Sequence, residues 1–566
     1  MKFKDYDYIR PDMAVLKASF NVLLASFTAA DTFEIQDSIM TVINKIRADF
    51  ESMTDICGIR NTIDTTDTFY ENEQAFFDKN LPVYAGLVTD YYKVLVSSIY
   101  EPQLRDKWGN QLFDLATLSI KTFDPVILED LQEENKLVTM YRKLIASAKI
   151  PFEGEERTLT QLTPFTKSKD RSIRKAAFEA ISGFMSTNEA TIDDIYDKLV
   201  KLRAGMATKL GYDSFVALGY DRLSRTDYDA AKVANFRKQV ETYIVPIATK
   251  LRQEQAQRLD LEALTYYDEP FEFKTGNAVP KGNPEWIIQN GVTMYSELSE
   301  ETKEFFNFMV DHELLDLVSK KGKAGGGYCT YIPNYSSPFI FSNFNGTSGD
   351  IDVLTHEAGH AFQVYLSRDF KVPEYTWPTF EACEVHSMSM EFFTWPWMDL
   401  FFKEDADKYR YTHLSSALEF IPYGVSVDEF QHYVYENPEA TPSERKAAWR
   451  SIEKKYLPHR DYADNDFFEK GTFWYRQSHI FGTPFYYIDY TLAQLCAFQF
   501  FKWMQENKEE TWHQYVKLCK LGGSKPFVEL ITSVGLKSPF ESGTVESVVD
   551  VIKDWLEEFD KSHTLT

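Results

Sequence analysis

Cysteine is scarce in this chain of 566 residues, and positive charge is in deficit. The cysteines are odd in number and scattered, so they indicate neither a disulfide framework nor a zinc site built from thiolates; they are Cys57, Cys329, Cys383, Cys496 and Cys519. Lys and Arg together number 61 against 86 acidic residues, which gives a net charge of −25. This negative charge argues against nucleic acid or an anionic membrane surface as a partner. We interpret the charge as a feature that keeps the protein soluble.

Long hydrophobic runs are also missing. The first residues, MKFKDYDYIRPDM, contain no apolar segment of the kind found in a secretion signal. No run approaches the roughly 20 apolar residues that a membrane-spanning helix needs. The sequence therefore predicts a cytoplasmic protein with no membrane partner. It carries no information about the oligomeric state.

What the chain does contain is apolar and aromatic residues: 44% are hydrophobic, with 44 Phe, 33 Tyr and 10 Trp. This composition is typical of extensive helix packing and of an aromatic-lined cleft. Periodic apolar residues predict helices over most of the chain, including segments 20–53, 298–318 and 398–419. Strands are predicted only around Gly154, as a hairpin, and in the aromatic and β-branched runs 328–332 and 338–344.

One motif organises the chain, the sequence His356-Glu357-Ala358-Gly359-His360. On a helix each residue turns about 100°, so the two histidines lie one turn apart on one face with Glu357 beside them. Two imidazoles in this arrangement suit Zn²⁺, and the carboxylate can act on a water molecule. A buried structural histidine pair is the alternative, and a third ligand would decide between them.

The third ligand is expected on the following predicted helix. A metzincin would place Gly and His where this chain has Gln363 and Leu366, so that class is excluded. Glu384 is the favoured ligand, with Glu381 and His386 as alternatives; His386 projects about 200° away from Glu384 on a helix. Glu391 shares the face of Glu384, two turns on, and suits a hydrogen bond to a ligand histidine.

These motifs resemble the thimet oligopeptidase and oligoendopeptidase F family of zinc metallopeptidases, and most of all its bacterial oligoendopeptidase F and Pz-peptidase branch. The family pattern is HExGH followed by a helix beginning E-x-x-S-x-x-x-E, here Glu384 to Glu391. The resemblance continues in KKGKAGGGYCTYIPNYSSPFIFSNFNGT and in the stretch from His479 to Tyr490. It covers the C-terminal two-thirds well and the first 150 residues only in their helical character.

The resemblance implies a mainly α-helical metallopeptidase of two lobes, with a deep substrate cleft and a small sheet near the metal. We expect an N-terminal helical region, 1–195, to form part of the cleft wall, and a catalytic region, 196–566, to carry the zinc site. The expected activity is zinc-dependent cleavage of internal bonds in short peptides, with one Zn²⁺ per chain held by His356, His360 and Glu384.

Further site residues follow from the same reading. Glu357 is expected to take the proton of the attacking water. Asp352, one turn before His356, and Glu391 are candidates to orient the ligand imidazoles, although Asp352 could equally interact only with the dipole of the helix N-terminus. The stretch that contains His479, Tyr486 and Tyr490 resembles the family's loop for substrate binding and transition-state stabilisation; a packed tyrosine cluster is the alternative.

Two other functions compete with this one. A dipeptidyl carboxypeptidase or metallo-carboxypeptidase of a related helical family would need a dedicated cation or set of donors for the substrate's C-terminal carboxylate. A non-catalytic peptide-binding protein would have no need of Glu357, which argues against it. Peptides blocked at one or both ends would separate the two peptidase types.

Overall fold

The computed structural model describes residues 1–562, and these form a mainly α-helical protein with small sheets, as the sequence predicts. The chain begins with a group of helices that surround their own hydrophobic core, together with Val372 and Tyr375 from later in the chain. These helices are α1 (Met13–Ala29), α2 (Phe33–Ile63), α3 (Thr68–Val96), α4 (Glu101–Trp108) and α5 (Asn110–Thr122).

The first two helices were expected to be one, because segment 20–53 is continuously periodic. The structure instead ends α1 at Ala29 and begins α2 at Phe33, where the Thr32 hydroxyl accepts a hydrogen bond from the Ile35 backbone N–H at 3.4 Å. Thr and Asp side chains compete for backbone hydrogen bonds and therefore favour helix starts over helix interiors. The single-helix prediction was wrong at this point.

The middle of the chain joins a second, much larger core, which it shares with the helices that follow it. The hairpin predicted around Gly154 is present, with strands β1 (Ile150–Phe152) and β2 (Glu155–Arg157) and a positive φ at the glycine. The division predicted near residue 195 stays a prediction. The helices here are α6 (Leu128–Ala146), α7 (Leu159–Thr166), α8 (Arg171–Thr187), α9 (Glu189–Lys209), α10 (Phe215–Arg222), α11 (Ala230–Gln239) and α12 (Val245–Arg258).

A three-stranded sheet follows helices α13 (Pro284–Leu298) and α14 (Glu300–Asp311). Its order is β3-β5-β4, with β3 parallel and β4 antiparallel to the central strand. The strands are β3 (Leu315–Val318), β4 (Tyr328–Ile332) and β5 (Ser337–Phe344). The predicted strands β4 and β5 are present, but β3 lies inside the segment predicted as helix 298–318. Short apolar runs are ambiguous between helix and strand, and here pairing with β5 decides.

The chain from residue 349 onward is built mostly from helices, of which α16 packs against both α15 and α22. Helix α18 continues well beyond the predicted end at residue 419, through Pro422, because it packs closely on α22: a Cβ on Gly424 would lie 2.1 Å from Thr491 Cγ2. The helices are α15 (Gly349–Ser367), α16 (Phe380–Phe393), α17 (Met398–Phe402), α18 (Ala406–Glu436), α19 (Pro442–Tyr456), α20 (Asp466–Glu469), α21 (Ser478–Gly482), α22 (Tyr487–Glu506), α23 (Lys508–Leu521), α24 (Phe527–Thr532) and α25 (Thr544–Ser562).

None of the helices within residues 1–562 combines the length and the hydrophobicity needed to cross a membrane.

Candidate metal centre

Helix α15 carries the two histidines as the sequence predicts. The rings of His356 and His360 lie one turn apart, with centroids separated by 4.9 Å and planes nearly perpendicular. Both side chains remain partly accessible, at 23% and 13% exposure, while most of the helix around them is buried. Helix α15 thus buries its apolar face and leaves the side that carries the two imidazoles accessible.

Gly359 allows the next helix to approach α15 from behind. A Cβ at this position would lie 2.6 Å from Ser387 Cα and 2.9 Å from the His386 carbonyl oxygen, closer than real Cβ atoms come. Any side chain at residue 359 would therefore push α16 away. The close approach brings the carboxylates of α16 within reach of the imidazoles on α15.

Glu384 completes a group of three possible metal ligands. Its Oε2 atom lies 3.2 Å from His356 Nε2 and 3.6 Å from His360 Nε2, and one ligand atom from each residue falls within 4.8 Å of the others. Burial raises the pKa of Glu384, but the two imidazoles and a hydrogen bond from Tyr486 outweigh burial and bring it to about 2. Two imidazole nitrogens and an ionised carboxylate are a donor set that fits zinc.

The two alternative ligands lie elsewhere. Glu381 is fully buried beside the guanidinium of Arg225 and does not belong to the three-residue group. His386 is also fully buried and faces helix α23, where the Tyr515 hydroxyl donates to its backbone carbonyl at 2.8 Å. For His386 the position on α16 explains this, because it projects about 200° away from Glu384. Glu381 lies one turn before Glu384 on the same side of the helix, but its carboxylate is beside Arg225 instead.

Glu391 is hydrogen-bonded to the first histidine. Its Oε1 accepts a hydrogen bond from His356 Nδ1 at 2.7 Å, which leaves Nε2 of that ring facing Glu384. Its Oε2 accepts from His413 Nε2 at 2.7 Å, and the Trp395 indole N–H donates to the other nitrogen of His413 at 3.3 Å. Since an indole only donates, His413 carries its proton on Nε2.

His413 and Trp395 were missed by the sequence analysis. His413 lies on α18 and Trp395 just after α16, and no motif connects them with helix α15. Burial raises the pKa of Glu391, but hydrogen bonds from His356 and His413 overcome that effect and lower it to about 2. Glu391 is therefore an ionised acceptor for two imidazole N–H groups at once.

Asp352 has a different partner from the one proposed for it. Its Oδ1 accepts a hydrogen bond from the Tyr409 hydroxyl at 2.7 Å, and none of its hydrogen bonds among the described residues goes to a ligand imidazole. Burial raises its pKa, and His413 and the Tyr409 hydrogen bond lower it. Its role as a residue that orients a ligand histidine stays a prediction.

Glu357 lies between the two ligand histidines in sequence and is mostly buried, with 9% of its surface exposed. Burial raises its pKa to about 7; His356 opposes this shift, and the carboxylates of Glu384 and Glu391 add to it. A Cβ on Gly327, just before strand β4, would come within 3.8 Å of its Oε1. A carboxyl group poised in this way near neutrality suits proton transfer.

Tyr486 reaches the ligand carboxylate from the opposite side. Its hydroxyl donates to Glu384 Oε1 at 2.9 Å, so the two oxygens of Glu384 face the phenol and the imidazoles respectively. Burial and the Glu384 charge raise the pKa of Tyr486, so its hydroxyl keeps its proton and can donate. The Tyr486 hydroxyl and Glu384 are already in contact in this structure, so no movement of residues 482–484 is needed to bring them together.

A chain of hydrogen bonds fixes the remaining two predicted residues. The Tyr423 hydroxyl donates to Gln477 Oε1 at 3.1 Å, and the Gln477 amide donates to His479 Nδ1 at 2.7 Å. His479 therefore carries its proton on Nε2, which lies 3.4 Å from the Tyr490 hydroxyl. This hydroxyl accepts from His479 and also interacts with the Tyr486 hydroxyl. Gln477 and Tyr423 were also missed from the sequence.

A cavity of about 730 Å³ opens beside these residues. Its wall includes Glu391, His479 and Tyr490, and also the basic residues Lys167 and Arg252. The ligand residues themselves lie beside the cavity and not in its wall. The space is large enough for several residues of an extended peptide and too small for a folded domain.

Comparisons with known proteins agree with this geometry. Residues 165–549 match the family described as Peptidase family M3, and residues 3–123 match the Peptidase M3 N-terminal domain. A solved structure described as Pz peptidase A with inhibitor 2 is 62% identical, covers 98% of this chain and 99% of its own, and superposes with a TM-score of 0.95.

Two more distant relatives are oligoendopeptidase F homologues. The one from Borreliella burgdorferi is 24% identical over 492 residues, which are 84% of this chain and 81% of the relative. The one from Lactococcus lactis is 22% identical over 568 residues, which are 93% and 90% of the two chains.

Proposed function

We infer the chemistry of the site from one premise: the chain belongs to peptidase family M3. It is a metalloendopeptidase that acts as an oligopeptidase. We propose that its metal is zinc, one ion per chain, held by His356, His360 and Glu384. The observation that carries this proposal is the convergence of two imidazole nitrogens on one oxygen of a buried carboxylate.

Zinc bound by these residues would supply a Lewis acid that lowers the pKa of water and polarises a peptide carbonyl. Glu357 accepts the proton of the attacking water and passes it to the nitrogen of the leaving amine. Its raised pKa favours both halves of that transfer, because the group can lose and regain a proton near neutrality. Glu391 holds His356 in the tautomer that leaves Nε2 available as a ligand.

The tyrosine side of the site handles the charge that develops on the substrate. As water attacks, the carbonyl oxygen of the scissile bond gains negative charge, and hydrogen-bond donors placed beside it lower the barrier. We assign this role to Tyr486, with Tyr490 as its neighbour at a ring-centroid distance of 5.0 Å and His479 as the group that orients Tyr490. In this structure the Tyr486 proton is donated to Glu384 Oε1, and we propose that it turns to the scissile carbonyl oxygen when substrate binds.

We also propose that short peptides are cut and folded proteins are spared, because the cavity beside the site is small. A ladder of unstructured peptides, each with free or blocked ends, tests this by mapping the bonds that are cleaved. An endopeptidase tolerates both blocks. Rapid cleavage of a native globular protein would contradict the proposal.

The proposed role of Glu357 as the base is tested by Glu357→Gln. The variant keeps the shape of the side chain and removes the base, so kcat is expected to fall by about 10²–10⁴-fold while zinc content and melting temperature remain parental. The matched control is the double variant His356→Ala/His360→Ala, which is expected to lose the metal as well. If Glu357→Gln turns over within about tenfold of the parent, another residue is the base.

A further inference from the structure

The residue before Tyr486 has an unusual backbone. Phe485 has a φ of +67°, in the left-handed region that residues with a side chain rarely adopt, and it is fully buried. Such a conformation persists only where the surroundings impose it, and it is often found at functional sites. The next residue begins the turn into α22 and carries the phenol that contacts Glu384.

Both backbone polar groups of Phe485 are held by side chains from distant parts of the chain. Its N–H donates to Gln431 Oε1 at 2.9 Å, and its carbonyl oxygen accepts from Arg225 Nη2 at 2.6 Å. Gln431, on α18, is fully buried and Arg225 nearly so. Because the two peptide units that flank the Phe485 Cα are both held, φ cannot return to an ordinary value without leaving a buried donor or acceptor unpaired, which is costly.

The ring of Phe485 is fixed as firmly as its backbone. It lies against Gly219 on α10, where a Cβ would come within 2.7 Å of its Cδ2 and 2.9 Å of its Cε2. Its other neighbours are aromatic, with ring centroids between 5.1 and 6.3 Å away: Phe215, Tyr220, His432 and Tyr435. The ring therefore has room only because residue 219 has no side chain.

Arg225 holds the far side of Tyr486 as well. The same Nη2 that donates to the Phe485 carbonyl also donates to Asp489 Oδ1 at 2.5 Å, one turn into α22. Neither charged side chain is exposed. The Arg225 guanidinium thus holds both the residue before Tyr486 and the helical turn after it. These two contacts fix the backbone of Tyr486 and therefore the direction of its side chain.

We propose that Arg225, Gln431 and Gly219 are positioning residues for catalysis: they hold the left-handed turn at Phe485 so that the Tyr486 hydroxyl stays beside Glu384. The inference rests on the role proposed above for Tyr486. None of the three lines the cavity. They act through Tyr486, because relaxing φ at Phe485 redirects the backbone immediately before that residue.

The test is a double-mutant cycle between Gly219→Ala and Tyr486→Phe. In the parental background, Gly219→Ala is expected to lower kcat about tenfold or more, with KM within about twofold and zinc content unchanged. In the Tyr486→Phe background the same substitution is expected to have no further effect on kcat, since the group that it misplaces is already absent. The control, Gly205→Ala on α9, has nothing within 4 Å of its Cβ and should leave kcat parental in both backgrounds.

The outcomes separate the two proposals. Equal losses of kcat from Gly219→Ala in both backgrounds, or parental kcat in the single variant, overturn the positioning role. Parental kcat in Tyr486→Phe alone overturns the role of that phenol first, and the positioning role with it. If Gly219→Ala does not fold, Gln431→Met enters the same cycle. It removes the acceptor for the Phe485 N–H together with a 3.3 Å hydrogen bond to the Val427 carbonyl of its own helix, and it is judged by the same pair of kcat ratios.

Discussion

The metal centre has two sides that are built in different ways. The helix side consists of α15 and α16, which carry His356, His360, Glu384 and Glu391. The other side, called the loop side after the turn that joins α21 to α22, spans residues 477–490 and carries His479 on α21, Tyr486 in the turn and Tyr490 on α22. On the helix side, partners are close in sequence: His356 and Glu391 are 35 residues apart. On the loop side, Arg225 and Phe485 are 260 residues apart.

The helix side shows which side chains helical periodicity can position, and the loop side shows which side chains need contacts from distant parts of the chain. On the helix side, helical periodicity orients the side chains and one close contact at Gly359 sets the spacing between the helices. On the loop side, an unfavourable φ and buried charges are held in place by α10, α18 and α22. We expect changes on the helix side to appear in metal binding and stability, and changes on the loop side to appear in kcat.

The strongest test of this comparison is Tyr486→Phe on the loop side, for which we expect the largest loss of kcat. Losing a donor beside a developing negative charge costs about 2.7–4 kcal/mol, which is about 10²–10³ in kcat. KM, zinc content and melting temperature should stay close to parental. Steady-state kinetics and a thermal melt on one preparation check this. A lowered melting temperature with parental kcat would make Tyr486 a packing residue.

The same comparison explains how much the sequence could predict. The arrangement of His356, Glu357 and His360 follows from helical spacing, and Glu384 from its place on the next helix. His413, Gln477 and Arg225 could not be found, because each contacts the site through the fold and has no local pattern. Strand β3 was missed for a related reason: its four residues become a strand only through pairing with β5.

On the helix side, Gly359→Ala is expected to have the largest effect. The added Cβ would meet backbone atoms of Ser387 and His386, which cannot rotate away, so α16 must move together with Glu384. Such overpacking costs up to about 3 kcal/mol. Both the melting temperature and the affinity for zinc should fall.

The matched control for that variant is Gly183→Ala, at an exposed position inside α8 with nothing within 4 Å of its Cβ. Replacing an exposed helical glycine by alanine usually stabilises a helix by up to about 1 kcal/mol. A Gly359→Ala variant that melts like this control and retains zinc would show that the two helices can separate without consequence.

A smaller effect on the same side is expected from Glu391→Gln. The carboxylate accepts from His356 and His413 at once, whereas an amide has a single acceptor oxygen, so one imidazole N–H loses its partner. Disrupting such a contact behind a metal ligand typically lowers metal affinity about 10–100-fold. Competition with a chelator measures this. Parental affinity would mean that His356 keeps its orientation without Glu391.

The smallest effect is expected from Asp352→Asn, the counterpart of Glu391→Gln on the zinc helix. Asp352 accepts one hydrogen bond from a neutral donor, the Tyr409 hydroxyl, and an asparagine oxygen can accept the same bond. Nothing equivalent to the loss at Glu391 should follow, and we expect zinc affinity and kcat to change by less than about threefold, or about 0.7 kcal/mol. The two variants each replace one carboxylate by an amide near His356, so they differ mainly in whether a ligand imidazole depends on the missing oxygen. If Asp352→Asn weakens zinc binding as much as Glu391→Gln does, then Asp352 does orient a ligand histidine, and the hydrogen bond to Tyr409 is not its main function.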